Sequence, residues 1–287
     1  MYEYTGKNVI LMLCSKCNIK CKHCYIKYKG DFEVDKLDSL FNAIKDKHFI
    51  ILNGTEPILF EEYYHIYKEN KQTRILTNGL ELIRNPGLYK TLKDIGIEEI
   101  ALSYHFGMQD DISFVKSSML DKLIKDLTKN GFKVKLMTTV SSDNYKNIPN
   151  MCKMAHKLGA KTIKFTNYIF QGNAQNQEHN KVLTREQIDY VLDTIDECRK
   201  DYDKDDLYIE RCGTFGPNRK RKEKFECLAC NNTVVITPDL NVYRCVFDID
   251  KGNEIGKVID NKIMIYDEFK DADTSTCAVL KKYNGVE

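Results

Sequence analysis

Cys17-Asn-Ile-Lys-Cys21-Lys-His-Cys24-Tyr25 follows closely on Asn8-Val-Ile-Leu-Met-Leu13. The apolar run reads as a first, buried β-strand, so the cysteines occupy the loop leaving its C-terminal end. Thiolates separated by three and then two residues are ligands that iron–sulfur clusters take from a compact loop. Three ligands leave one iron of a four-iron cluster without a protein partner, open to a chelating substrate or cofactor. The spacing alone also admits a closed zinc site, with Cys14 as fourth ligand.

Beyond the loop, β-prone runs alternate with helical patterns. The runs are Phe49-Ile-Ile-Leu52, Thr73-Arg-Ile-Leu-Thr77, Glu98-Glu-Ile-Ala-Leu-Ser103, Lys133-Val-Lys-Leu-Met-Thr138 and Lys161-Thr-Ile-Lys-Phe165. Helices are expected at 34–46, 61–70, 86–95, 113–130 and 147–158, with Gly131 and Gly159 at C-caps, and a further helix at 184–201. Six βα units in succession imply a parallel sheet, too short for an eight-fold barrel. The fold class is α/β: a partial (β/α)6 TIM barrel over residues 1–205, with its active site at the strands' C-terminal ends. A charge run, Arg199-Lys-Asp-Tyr-Asp-Lys-Asp-Asp206, marks the boundary. Residues 206–287 form a small, cysteine-rich α+β domain. It has a strand at Leu207-Tyr-Ile-Glu210, an exposed basic loop at 218–224, and a hairpin of Thr233-Val-Val-Ile-Thr237 with Asn241-Val-Tyr-Arg-Cys245.

Bulk properties exclude several classes. Among 287 residues, 44 basic and 42 acidic side chains nearly balance, so no global field draws the chain to nucleic acid or membrane. No apolar run approaches a membrane span, and the polar start lacks a signal-peptide pattern. The expectation is a cytoplasmic protein. Eleven cysteines, several closely spaced, point in that compartment to metal or redox sites.

The loop at 17–25 resembles the C-x3-C-x2-C signature of the radical S-adenosylmethionine (SAM) superfamily. Asn53-Gly-Thr-Glu-Pro57 resembles the family's Gly-Gly-Glu-Pro motif, with Thr55 in place of a glycine, and Thr77-Asn78-Gly79 and Ser103 match later strand ends. The resemblance implies a [4Fe–4S] cluster on Cys17, Cys21 and Cys24. It implies SAM bound by His23, Tyr25, Gly54, Thr55, Glu56, Pro57, Thr77, Asn78 and Ser103, with Thr139 and Asn144 as weaker matches. His105, Tyr104 and Tyr168 are further cleft candidates at strand ends, while Cys152 and Cys198 fall in helical patterns and read as core residues.

Cys227-Leu-Ala-Cys230 and Cys245, flanked by Cys212 and Cys277, also fit a zinc ribbon. The segment Cys230–Cys245 resembles the opening of a SPASM or twitch domain, which implies a second [4Fe–4S] cluster on Cys227, Cys230, Cys245 and Cys277. Leu240 stands where that pattern has a turn glycine, and a turn shifted onto Asn241 is expected. Cys212 is then either a free thiol, donating hydrogen in a peptide epimerase, or the alternative fourth ligand. The resemblance implies cleavage of SAM to a 5′-deoxyadenosyl radical acting on a ribosomally made precursor peptide, fed by a one-electron reductant such as flavodoxin or ferredoxin. Alternatives are thioether or C–C crosslinking, or a small-molecule enzyme akin to the GTP cyclase of molybdopterin synthesis. No separate leader-binding domain is expected.

Overall fold

The computed structural model describes residues 1–12, 16–26, 36–54, 56–61, 64, 74–221, 227, 229, 232–249, 251–269 and 277–285. Cys14, Thr55, Cys230 and most of the expected helix at 61–70 lie outside the described residues. The strands are β1 (Tyr2–Glu3), β2 (Asn8–Met12), β3 (Phe49–Asn53), β4 (Arg74–Thr77), β5 (Glu99–Ser103), β6 (Lys133–Val140), β7 (Thr162–Asn167), β8 (Tyr208–Arg211), β9 (Thr233–Ile236), β10 (Asn241–Tyr243), β11 (Gly256–Ile259) and β12 (Lys262–Ile265). The helices are α1 (Leu37–Ile44), α2 (Leu80–Arg84), α3 (Leu88–Asp94), α4 (Gln109–Ile112), α5 (Ser117–Lys129), α6 (Ile148–Lys157), α7 (Arg185–Asp201) and α8 (Ala278–Asn284).

Among the described residues these strands make one sheet, ordered β1-β12-β11-β10-β9-β2-β3-β4-β5-β6-β7-β8. The run from β9 through β2 to β8 is parallel, as expected of strands joined by helical crossovers. The strands expected before residue 205 are the six from β2 to β7. The strand expected to open the C-terminal domain is instead β8, paired in parallel with β7. At the other side, β9 pairs in parallel with β2, and β1 pairs with β12. The sheet therefore does not break at 205/206; backbone groups left unpaired on β7 and β2 are satisfied by strands from the later chain.

Side chains alternate between the sheet's two faces. Ile100, Leu102, Leu136 and Ile163 lie fully buried on the helix-covered face. Against that face α5 sets Leu120, Leu123, Ile124 and Leu127, one stripe of a 3.6-residue period; each such leucine contributes roughly 2 kcal/mol when buried. The opposite face carries Leu76, Ala101 and Ser103. There the register aligns Ser103, Met137, Lys164 and Glu210 in one row across β5 to β8. Gly131 and Gly159 take φ +76° and +84°, ending α5 and α6 as the sequence indicates.

Two expectations for the C-terminal region are corrected. The β9–β10 turn does not shift onto Asn241; Leu240 itself takes φ 64°. Leu240 N donates to Thr237 O at 2.9 Å, and the Asp239 carboxylate accepts from Thr237 Oγ1 and Asn241 Nδ2. This network holds a conformation that costs a leucine about 1–2 kcal/mol. The basic stretch from 218 is not wholly a solvated loop. Asn218 is buried and donates to Asp193, and Arg221 bridges Asp193 and Asp196 on α7, each at 2.8 Å.

Candidate active site

The parallel strands end together, and their loops enclose a cavity of about 420 Å³, within the range of small-molecule sites. Its wall includes Cys17, Cys21 and Cys24 from the loop after β2, with His23 and Tyr25, and Asn53, Leu76, Thr77, Asn78, Ser103 and His105 from β3 to β5. Cys17 is exposed, whereas Cys21 and Cys24 are half-buried.

The loop is held from three sides. Lys22 N donates to Ile112 O at 3.0 Å, fastening it to α4. Asn78 Nδ2 donates to Asn18 Oδ1 at 2.8 Å and stands 3.8 Å from Cys17 Sγ. From the turn after β7, Asn173 donates its backbone N–H to Cys24 O at 2.8 Å and its Nδ2 to Cys21 O at 3.0 Å. Gly172 brings that turn close: a β-carbon there would lie 2.5 Å from Cys24 O, and its φ is +63°.

Glu56 is fully buried. Its Oε2 accepts from Asn78 N at 2.8 Å and its Oε1 from Ile58 N at 3.4 Å. Burial pushes its carboxyl up to about 7, against the lowering effect of these bonds and of Thr77. Glu56 thus ties the loop after β3 to the loop after β4. Thr77 Oγ1 accepts from Gly79 N at 3.0 Å and shapes the same turn. The His23 and His105 rings meet edge to face at 4.3 Å. Burial lowers His23 to about 4, and burial with the neighbouring His23 holds His105 well below the usual imidazole range. Both rings are therefore neutral at pH 7. His105 Nδ1 accepts from Thr139 N, while His23 Nδ1 is buried without a hydrogen-bond partner.

The three thiols fit an iron–sulfur cluster chemically. Burial raises all three, Cys21 to about 12, and Cys24 adds charge repulsion on Cys17 and Cys21. Such a set becomes thiolate only against a cationic centre. Among the described residues no three His, Cys, Asp or Glu side chains gather as a single ion requires. The donors to a four-iron cluster are spread over separate irons. The unpartnered His23 Nδ1 leaves a polar position for a ligand in the same cavity.

A second cysteine set lies beyond Tyr25, whose ring packs on Phe247 at 4.4 Å. Tyr25 hydrogen-bonds Asn53, and burial raises its hydroxyl, with Cys24, Cys245 and Cys212 adding charge repulsion. Burial holds Cys245 well above the usual thiol range, and Cys212, Cys277 and Cys227 add repulsion. Burial also raises Cys227, and Cys277 to about 11, with Cys212 again a charge neighbour of each. Cys212 is thus near enough to Cys227, Cys245 and Cys277 for its charge to act on each of them.

No family model matches the chain. A pre-heme d1 synthase of Dinoroseobacter shibae is 22% identical over 204 residues, covering 64% of this chain and 50% of that protein. The antilisterial bacteriocin subtilosin biosynthesis protein AlbA of Bacillus subtilis is 26% identical over 208 residues, covering 64% of this chain and 46% of that protein. The chain spans about half the length of the curated relatives it matches. Among solved structures, anSMEcpe with bound AdoMet and the Cp18Cys peptide superposes with a TM-score of 0.68 at 15% identity, covering 96% of this chain and 81% of that one. The chain is similar, in sequence and in fold, to radical SAM proteins.

Within this fold, some of the expected site positions line the cavity and others do not. Gly54, Glu56, Pro57, Thr139 and Asn144 are not among the cavity-lining residues. Gly54 turns at φ 84° and Pro57 is buried at the start of a short helix. Asn144 is buried, accepting from Ser141 N and donating to Phe106 O and Thr139 O; its amide is spent closing the loop after β6. Tyr104 donates to Asp121 and Tyr168 packs with Ala174, both away from the cavity. Cys152 and Cys198 are buried between α6 and α7, hydrogen-bonded to each other. Gln109, Ser113 and Asn173 line the cavity without having been singled out from sequence. The Gly172-Asn173 pair just past β7 is a turn signal that could have marked the last of these.

Proposed function

We propose that this protein is a radical SAM enzyme that acts on a peptide. The observation carrying this reading is the single cavity shared by three cysteines of one loop and the ends of β3, β4 and β5. In this reading Cys17, Cys21 and Cys24 hold a [4Fe–4S] cluster, and SAM lies against His23, Tyr25, Asn78 and Ser103. When bound, the cluster and SAM supply the 5′-deoxyadenosyl radical that takes one hydrogen atom from substrate. Asn78 and Asn173 fix the loop, Glu56 holds the Asn78 turn, and the apolar walls exclude water. Thr55 retains a place in the SAM site only by sequence resemblance. The peptide substrate is supported by the likeness to AlbA and to anSMEcpe with its bound peptide. A one-electron carrier of flavodoxin or ferredoxin type is the expected partner. No described helix is long and apolar enough to cross a membrane.

The finer reading is peptidyl L-to-D epimerisation. Cys212 follows β8 and donates its N–H to Phe165 O at 2.8 Å. That bond carries the β7–β8 register one step beyond Glu210, beside Thr166, on the face of Ser103. A thiol there returns a hydrogen atom to a substrate Cα radical, and the resulting thiyl is reset by one electron and one proton from the reductant. A second [4Fe–4S] cluster then takes Cys227, Cys230, Cys245 and Cys277. The grouping of Cys212 with three of these favours a second reading, in which Cys212 is itself a ligand. The test is Cys212→Ala. The donor role requires both clusters and 5′-deoxyadenosine formation to persist while epimerised product is lost, and wild type in D2O to place one deuterium at Cα. Loss of the second cluster, or a product lighter by two hydrogens, overturns it.

A further inference from the structure

The sheet face that carries Ser103 has a charged region that runs up to Cys212. Its charged side chains on β4 to β8 are Arg74, Glu99, Lys133, Lys135, Lys164 and Glu210, with Tyr208 beyond them. Lys133, at the outer end, is turned to Glu98 at 3.5 Å. Arg74 Nε pairs with Glu99 Oε1 at 3.0 Å, and Lys135 Nζ donates to Glu210 Oε1 at 2.7 Å. Lys164 stands 3.7 Å from Glu210 Oε2, outside hydrogen-bond range. Two carboxylates thus face three cations, and Lys164 is the cation left with only a Coulombic contact. Its side chain is 29% exposed, against 8% for Lys135. An ammonium with three donors, partly desolvated beside a carboxylate already taken by a neighbour, binds a further acceptor anion well.

Position decides what that anion belongs to. Ser103, Met137 and Lys164 are successive register partners, so their side chains share one face and one row. Ser103 lines the cavity, and two strand spacings place Lys164 about 10 Å from it. A molecule seated on this face with one end at Ser103 brings its other end to Lys164. We propose that Lys164 binds a carboxylate of the substrate, about 10 Å along the sheet from Ser103 at the SAM site. This rests on the reading above that substrate occupies this face. An acidic residue of a peptide and a carboxylate of a tetrapyrrole present the same group.

The test is binding to the reconstituted protein with SAM present, in two arms. One compares a short alanine peptide bearing a central Glu with its Gln counterpart; the other compares coproporphyrin III with its tetramethyl ester. In one arm the acid should bind about 10-fold tighter than the neutral analogue, as expected of one charged hydrogen bond. That arm names the source. Lys164→Met should erase the preference and Lys164→Arg retain it. Should Lys164→Met fail to fold, 13C-dimethylation of wild-type lysines gives a second readout. One methyl resonance must move with the acidic probe and be missing in Lys164→Arg. Equal binding of acid and neutral analogue in both arms, or an acid preference surviving Lys164→Met, overturns the proposal. Formation of 5′-deoxyadenosine by dithionite-reduced wild type without substrate tests the parent reading on its own.

Discussion

The two cysteine sites are built in different ways. Cys17, Cys21 and Cys24 lie within eight residues of one loop, and the loops and helices around it hold it through Asn78, Asn173, Glu81 and the Ile112 carbonyl. Cys212, Cys227, Cys245 and Cys277 come from four separate segments, after β8, before β9, after β10 and before α8. The first site is thus a local structure clamped in place, while the second exists only when the edges of the sheet have assembled. Tyr25 lies near both, with Cys24 of the first site and Cys245 and Cys212 of the second as its charge neighbours.

Removing one ligand from each site breaks this comparison most severely. Cys24→Ala should lower 5′-deoxyadenosine formation at least about 100-fold and iron by about half, leaving the second cluster in place. Cys245→Ala should also lower iron by about half, yet retain SAM cleavage by the dithionite-reduced protein. Loss of both clusters from either variant, followed by iron analysis and EPR, would mean that the sites do not assemble independently.

A smaller effect tests the clamp. At Gly172 a β-carbon meets the Cys24 and Tyr25 backbones at 2.5–2.8 Å, under a positive φ. Gly172→Val should cost about 3 kcal/mol locally and weaken SAM binding about 10-fold, with the second cluster unaffected. SAM binding at wild-type strength in equilibrium dialysis would show the loop to be self-supporting.

The smallest effect concerns Glu56 and pH. Its carboxyl titrates near 7 in the folded chain, above the ordinary 4.5, because burial disfavours the charge. The folded state therefore holds a proton that the unfolded state has released between these values. Stability from this group is complete below about pH 4.5 and is lost as pH rises through 7, by up to about 3 kcal/mol. Glu56→Gln cannot ionise, so its Tm relative to wild type should rise from pH 5.5 to pH 8. A constant Tm difference would mean that Glu56 is ionised in the fold throughout.

Much of the first region was legible in sequence because its signals are local. A buried strand followed by C-x3-C-x2-C needs only adjacent residues, and β2 and the cavity-lining cysteines stand where that reading put them. Thr77, Asn78 and Ser103 likewise end strands whose periodicity is plain. The side-chain bonds of Asn144 and Glu56 were not legible, because a motif names a position, not the direction of its side chain. Both turn into the protein to satisfy backbone groups, a demand visible only after the loops have closed.

The amino-acid sequence by itself determined the alternation of strands and helices, the cysteine loop and the resemblance to radical SAM proteins, since these depend on spacing within a few residues. Only the tertiary structure decided that β8 joins β7, that β9 joins β2, and that Cys212 comes within charge-interaction range of Cys227, Cys245 and Cys277. It also decided that Lys164 shares a row with Ser103. The physical reason is register: which strand edges pair, and at which residue, follows from satisfying backbone hydrogen bonds and burying one face across segments far apart in the chain.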